Sequence, residues 1–122
     1  IFFGQAEADA AEVGRIVRKD TRRKIGGGAN GLIEELLSPD LTDDFEVVHS
    51  VFEPGAGLTE FVNRPTQEGG YMISGGLTLW IGDKKFDLGP GDSFRIRGEP
   101  FKWANPYSEN AVAIWVIAPP VY

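Results

Sequence analysis

"EFVNRPTQEGGYMISGGLTLWIGDKKFDLGPGDSFRI", residues 60–96, reads as short strands cut by turn residues. Within and just past it, "GYMIS", "LTLWI", "KKFDL" and "SFRIR" are rich in β-branched and aromatic residues and are bounded by glycine, proline and aspartate. The pair Gly82-Asp83 predicts a two-residue hairpin, because glycine takes the positive φ that so tight a turn needs. Pro90-Gly91-Asp92 marks another turn. Working outward, "FEVVHSVF" (45–52), "LTEFV" (58–62) and "AVAIWVIA" (111–118) have the same character, and Pro54-Gly55 stops the first of them. "LIEELLSPD" (32–40) fits either a strand or a short helix ended by Pro39. "QAEADAAE" (5–12) is a helical turn or a flexible lead-in, and "GGGANG" (26–31) is a loop. Many short strands and no long amphipathic helix predict an all-β sandwich or small barrel.

Composition narrows the function classes. A chain of 122 residues with 42% hydrophobic content makes one domain with a real core. It has no cysteine, so disulfides and thiolate chemistry are excluded, and the expected location is the cytoplasm. The longest apolar run, residues 111–118, falls well short of the ~20 residues a spanning helix needs, so no membrane partner is expected. Arg15, Arg18, Lys19, Arg22, Arg23 and Lys24 face a single acid, Asp20, within ten residues, yet the whole chain carries −6. The remainder is therefore more acidic still and repels phosphate backbones. The basic run is a solvated face or a segment lying near DNA or an acidic partner. Met72 is the only methionine and the chain opens on Ile1, which suggests a piece of something longer.

Gly55, five residues, Phe61-Val62-Asn63, four residues, Glu68, six residues and Gly75 reproduce the spacing of the first cupin motif, glycine, His-x-His, glutamate, glycine. Phe61 and Asn63 stand at its two histidines. The second motif is approached by Gly89-Pro90-Gly91-Asp92, then Phe101 at the third histidine and Asn105 four residues on; this segment is slightly shorter than the general pattern, and Arg97 stands near its usual proline. The chain thus resembles the cupin superfamily. From Val13 to Tyr122, with "LLSPDL", "EPGAG", "WANP" and "AIWVIAPPVY", it is similar to the C-terminal cupin of helix-turn-helix regulators of the xenobiotic-response-element type. That resemblance implies a small cupin-type double-stranded β-helix (jelly-roll) barrel with N-terminal strands over 13–122, and a linker remnant or flexible segment over 1–12. It also implies a homodimer that senses a small-molecule effector and meets DNA only through an N-terminal helix-turn-helix domain absent from this chain.

The residues themselves say what such a barrel can do. Side chains alternate along a strand, so Phe61 and Asn63 share a face, as do Phe101, Trp103 and Asn105. If those faces look inward, the site has phenylalanine at two of four ligand positions, a neutral amide at a third, and only Glu68 intact. A zinc or iron centre takes typically three protein ligands from imidazole, thiolate and carboxylate, so no metal or other cofactor is expected. The candidate pocket is Phe61, Asn63, Glu68, Tyr71, Phe101 and Trp103, with no catalytic residue assigned. Each has a plainer alternative. Glu68 can be a salt-bridged acid paired with Arg64, Arg95 or Arg97. Phe61 and Phe101 can fill the space a metal would leave. Tyr71, Trp103 and Trp115 can be core or dimer-face aromatics, and Asn105 can tie a turn. His49, the only histidine, has no second imidazole for a metal pair and reads as structural.

Two functions from different classes fit. One is a metal-free sensing domain of a transcription regulator. The other is a stand-alone metal-independent isomerase or lyase that uses Glu68 as acid or base with Tyr71, which requires burial to raise the Glu68 pKa.

Overall fold

The computed structural model describes residues 10–26 and 28–122. Nine strands form two antiparallel sheets. The larger comprises β1 (Arg23–Ile25), β2 (Leu32–Leu36), β3 (Glu46–Phe52), β4 (Gln67–Ser74), β7 (Ser93–Arg97) and β9 (Ala111–Ala118), in the order β1-β2-β3-β9-β4-β7. The smaller comprises β5 (Leu77–Ile81), β6 (Lys84–Leu88) and β8 (Phe101–Ala104), in the order β6-β5-β8. The all-β jelly-roll expectation holds. The ambiguous stretch at 32–40 resolves as β2, and the Gly82-Asp83 hairpin joins β5 to β6 with Gly82 at φ 61°.

Period-two alternation sorts each strand into an inner and an outer face. On β3, Glu46, Val48, Ser50 and Phe52 are buried while Val47, His49 and Val51 are half-buried on the other side. On β9 the inner set is Ala111, Ala113, Trp115 and Ile117, paired in register with Phe52, Ser50, Val48 and Glu46. The two sheets close on a core of Phe52, Met72, Leu77, Leu79, Ile96, Phe101, Trp103 and Trp115. Phe52 meets Trp103 edge-on at 4.8 Å, and Phe94 meets Trp115 edge-on at 4.7 Å, the geometry that opposes ring edge to ring face. Gly70 makes the second contact possible, because a Cβ there would lie 2.2 Å from the Phe94 ring. Gly75 has φ +72°, and a Cβ would fall 2.3 Å from the Asn110 carbonyl oxygen, so only glycine fits.

Three expectations need adjustment. The stretch 58–62 forms no strand: Val62 alone pairs with Phe101, through bonds of 2.7 and 2.9 Å, before Pro65 removes a donor from the path. The helical turn or flexible lead-in expected over 5–12 lies mostly outside the described residues; residues 10–15 form turns. Within the 26–31 loop, Ala29–Gly31 close a short 3-10 turn with Asn30 at φ 61°.

His49 sits on the outer face opposite Glu35 and Ile114. Burial and the neighbouring Arg22 charge hold its pKa below the usual value, in keeping with a neutral structural side chain. Arg95 and Arg97 also face outward and are exposed. Asn105 ties a turn: its amide donates to the Phe52 and Glu109 carbonyls, and its oxygen accepts the Tyr107 N–H.

Candidate functional site

Between the sheets lies an open-sided cavity of about 170 Å³. Phe52, Phe101, Trp103, Trp115 and Ile117 give it an apolar wall, Leu58 and Val62 cover a flank, and Glu34, Ser50, Arg64 and Tyr122 supply polar atoms. Strand parity explains the polar set. Glu34 lies between Leu32 and Leu36 on β2, so it shares their inward face, and its register partner is Ser50 on β3. Tyr122 reaches the site from beyond β9 and donates its hydroxyl hydrogen to Glu34 Oε1 at 2.5 Å.

Glu68 lies beside this cavity, with its side chain fully buried and every lone pair spoken for. Arg64 donates through Nε at 2.7 Å and Nη2 at 2.9 Å, the Trp115 indole N–H donates at 2.8 Å, and the Thr66 hydroxyl donates at 2.5 Å. Burial pushes the Glu68 carboxyl up, but the hydrogen bonds from Arg64, Thr66 and Trp115 outweigh it and hold the pKa below the ordinary value. Arg64 in turn lies over the Phe101 ring, 5.6 Å from its centroid.

The opposite side of the cavity has a different character. Burial raises the Glu34 pKa, against the opposing effects of the Tyr122 hydrogen bond and the Arg64 charge. The Tyr122 hydroxyl is pushed far above its usual range, by burial first and by the bond to Glu34 second. Behind them Glu46 is completely buried; its Oε1 accepts the Val121 N–H at 2.7 Å, whereas Oε2 has no partner among the described residues.

Of the residues expected at the pocket, Phe101 and Trp103 line the cavity and Glu68 sits immediately behind Arg64. Phe61 does not: it is 46% exposed and faces the Lys102 ammonium at 5.0 Å. Asn63 is exposed as well. Tyr71 stands on the outer face of β4, 50% exposed and opposite Ile114. The error at Phe61 and Asn63 is one of parity. Val62 bridges Phe101 and, like Arg64, lines the cavity, so the even-numbered side chains of this segment face inward and Phe61 and Asn63 face out. The sequence reading missed Glu34, Trp115 and Tyr122 as site residues. Glu34 carried a legible signal, a charge on the same alternating face as Leu32 and Leu36; Tyr122 carried none, because it lies beyond the last strand.

This frame does not fit a metal. One inward position offers a hydrocarbon, another a guanidinium already bound to the sole surviving carboxylate, and a third the Phe101 ring. Among the described residues no three His, Cys, Asp or Glu side chains gather to hold an ion. The acid–base arrangement of Glu68 with Tyr71 fails too, since the Glu68 pKa is lowered and Tyr71 is on the other side of the sheet.

The comparisons with known proteins agree with this architecture. The cupin domain of an XRE-family transcriptional regulator from Enterobacter cloacae is 25% identical, with a TM-score of 0.63 over 74% of this chain and 98% of that one. KdgF from Halomonas sp. is 19% identical, with a TM-score of 0.74 over 88% and 96% of the two chains. An RmlC-like cupin from Shewanella frigidimarina is 17% identical, with a TM-score of 0.74 over 87% and 91%. No curated protein sequence gives a match. A cupin-domain family model matches residues 48–117, more than half of the sequence and all of the strands that enclose the cavity except β1 and β2, and the chain belongs to the cupin family.

Proposed function

We propose that this cupin is a metal-free effector-binding domain of a transcription regulator. The observation that carries the reading is the state of Glu68. The glutamate that could have served as acid, base or ligand is held ionised by four donors, and what remains beside it is an aromatic-walled cavity with a few polar groups, the make-up of a binding site. The likeness to an XRE-regulator cupin, which this chain matches over nearly that whole domain, supports the regulatory context. In that context two copies pair. The outer face of the large sheet supports such pairing, since Ile33, Tyr71, Ile73 and Val116 are 37–50% exposed there. Effector binding then biases one arrangement of the pair over another, as it must if it is to change DNA binding.

One observation favours an enzyme instead. Glu34, with its raised pKa, and Tyr122 form a carboxyl–phenol pair inside the cavity, which is the kind of pair that moves protons. A panel of small metabolites, followed by tryptophan fluorescence and by product analysis, separates the two. Saturable binding with no conversion is the expected result. Conversion that Glu34→Gln abolishes would assign the site to catalysis.

A further inference from the structure

The cavity's charge arrangement narrows what it can hold. Among the groups lining it, Arg64 is the only cation, and two of its N–H groups are committed to Glu68 while its face lies on Phe101. An anionic ligand would have to compete with a buried, bidentate carboxylate for that guanidinium. Acceptors, by contrast, are in excess. The Tyr122 hydroxyl gives its one hydrogen to Glu34. The ionisable side chains on the lining are thus Glu34, Arg64 and Tyr122, and the Arg64 charge is already paired with Glu68.

Four aromatic side chains, Phe52, Phe101, Trp103 and Trp115, line the same cavity as Glu34. Ring faces carry negative potential and attract ammonium groups, most strongly where water is excluded. A carboxylate has about four acceptor sites and Glu34 accepts from Tyr122 at one of them, so a ligand that brings N–H donors finds acceptors there. The chain's net charge of −6 adds a long-range field that draws cations. At about 170 Å³ the cavity is smaller than the ~300–1,000 Å³ of sites for drug-sized ligands, so the ligand has only a few heavy atoms.

We infer that the cavity recognises a small protonated amine, with its ammonium directed to Glu34 and its carbon chain against Trp103 and Trp115. This rests on the effector-binding reading above and names the chemical class that reading leaves open.

Isothermal titration calorimetry and tryptophan emission with n-butylammonium, butyrate and 1-butanol test it on the full 122-residue chain. The three probes share a carbon chain and differ in charge. The expected result is butylammonium binding at least tenfold tighter than either of the others, reduced at least tenfold by Glu34→Gln. Tyr122→Phe removes a donor that competes for Glu34, so it raises butylammonium affinity, an unchanged affinity counts against the assignment, and this variant decides the matter if Glu34→Gln does not fold. Butyrate binding as tightly as the amine, or a tenfold loss of amine affinity in Tyr122→Phe, overturns the amine assignment while leaving the cavity a binding site. Silence from all three probes, in heat and in emission, overturns the amine and counts against the effector reading together.

Discussion

Glu68 and Glu46 are both buried glutamates on inner faces of the same sheet, register neighbours of the same residue, Ile117 on β9. Yet they are opposites. Glu68 receives four hydrogen bonds, two of them from the Arg64 guanidinium it pairs with, and it fixes Arg64, Thr66 and Trp115 in place. Glu46 receives one, and its second oxygen meets no donor. A buried polar network that is fully satisfied rigidifies its surroundings. The same side chain thus builds a fixed network around Glu68 and, at Glu46, is held by a single bond from the chain's last residues.

The comparison breaks if the two glutamates prove equally important to stability. Glu68→Gln puts an amide N–H against donors and strands the Arg64 charge, so urea denaturation is expected to show a loss of about 3–5 kcal/mol. Trp115→Phe deletes one donor to the ionised carboxylate, and a loss of about 1.5–3 kcal/mol is expected from the missing bond. Glu46→Gln keeps an oxygen for the Val121 N–H and gives up an atom that bonds to nothing, so the change is expected below about 1 kcal/mol in either direction. A Glu46 variant as damaging as the Glu68 one would erase the distinction.

A pH series sharpens it with smaller effects. The Glu68 pKa is lowered by folding, so its contribution is present above the unfolded value near 4.5 and is lost as pH falls through the lower folded value. Wild type is expected to lose stability on acidification below about pH 4.5, and Glu68→Gln to flatten that limb. Glu34 behaves with opposite sign. Its folded pKa is raised, so its contribution is complete below the unfolded value and is lost as pH rises through the folded one. In Glu34→Gln the decline on the way from acid toward neutral pH should therefore be shallower than in wild type. Equal slopes in the two proteins would show that folding does not raise the Glu34 pKa.

The barrel was legible because its signals are local. Turn residues such as Gly82-Asp83 and Pro90-Gly91-Asp92 state their geometry in two or three letters, and β3 and β9 announce themselves by alternation. The candidate site was legible only in part. Phe101 and Trp103 lie on a regular strand, where parity is reliable, and both line the cavity. Phe61 and Asn63 lie in a segment that meets β8 only through isolated contacts, at Gly57, Leu58 and Val62, so spacing alone could not say which parity faced inward, and the reading was off by one. Tyr71 was misplaced for a different reason: a tyrosine half-exposed on an outer sheet face has the same sequence signature as one in a pocket. Glu34, Glu46 and Tyr122 meet only in three dimensions, since they come from β2, β3 and the segment after β9.

The central claim is that the space a cupin metal centre would occupy here binds an organic molecule instead. Native mass spectrometry of the untagged chain, as purified from cells, tests it most directly. A dimer carrying one small organic adduct per subunit and no metal is the expected result; one metal ion per subunit, retained through desalting, would rule the proposal out.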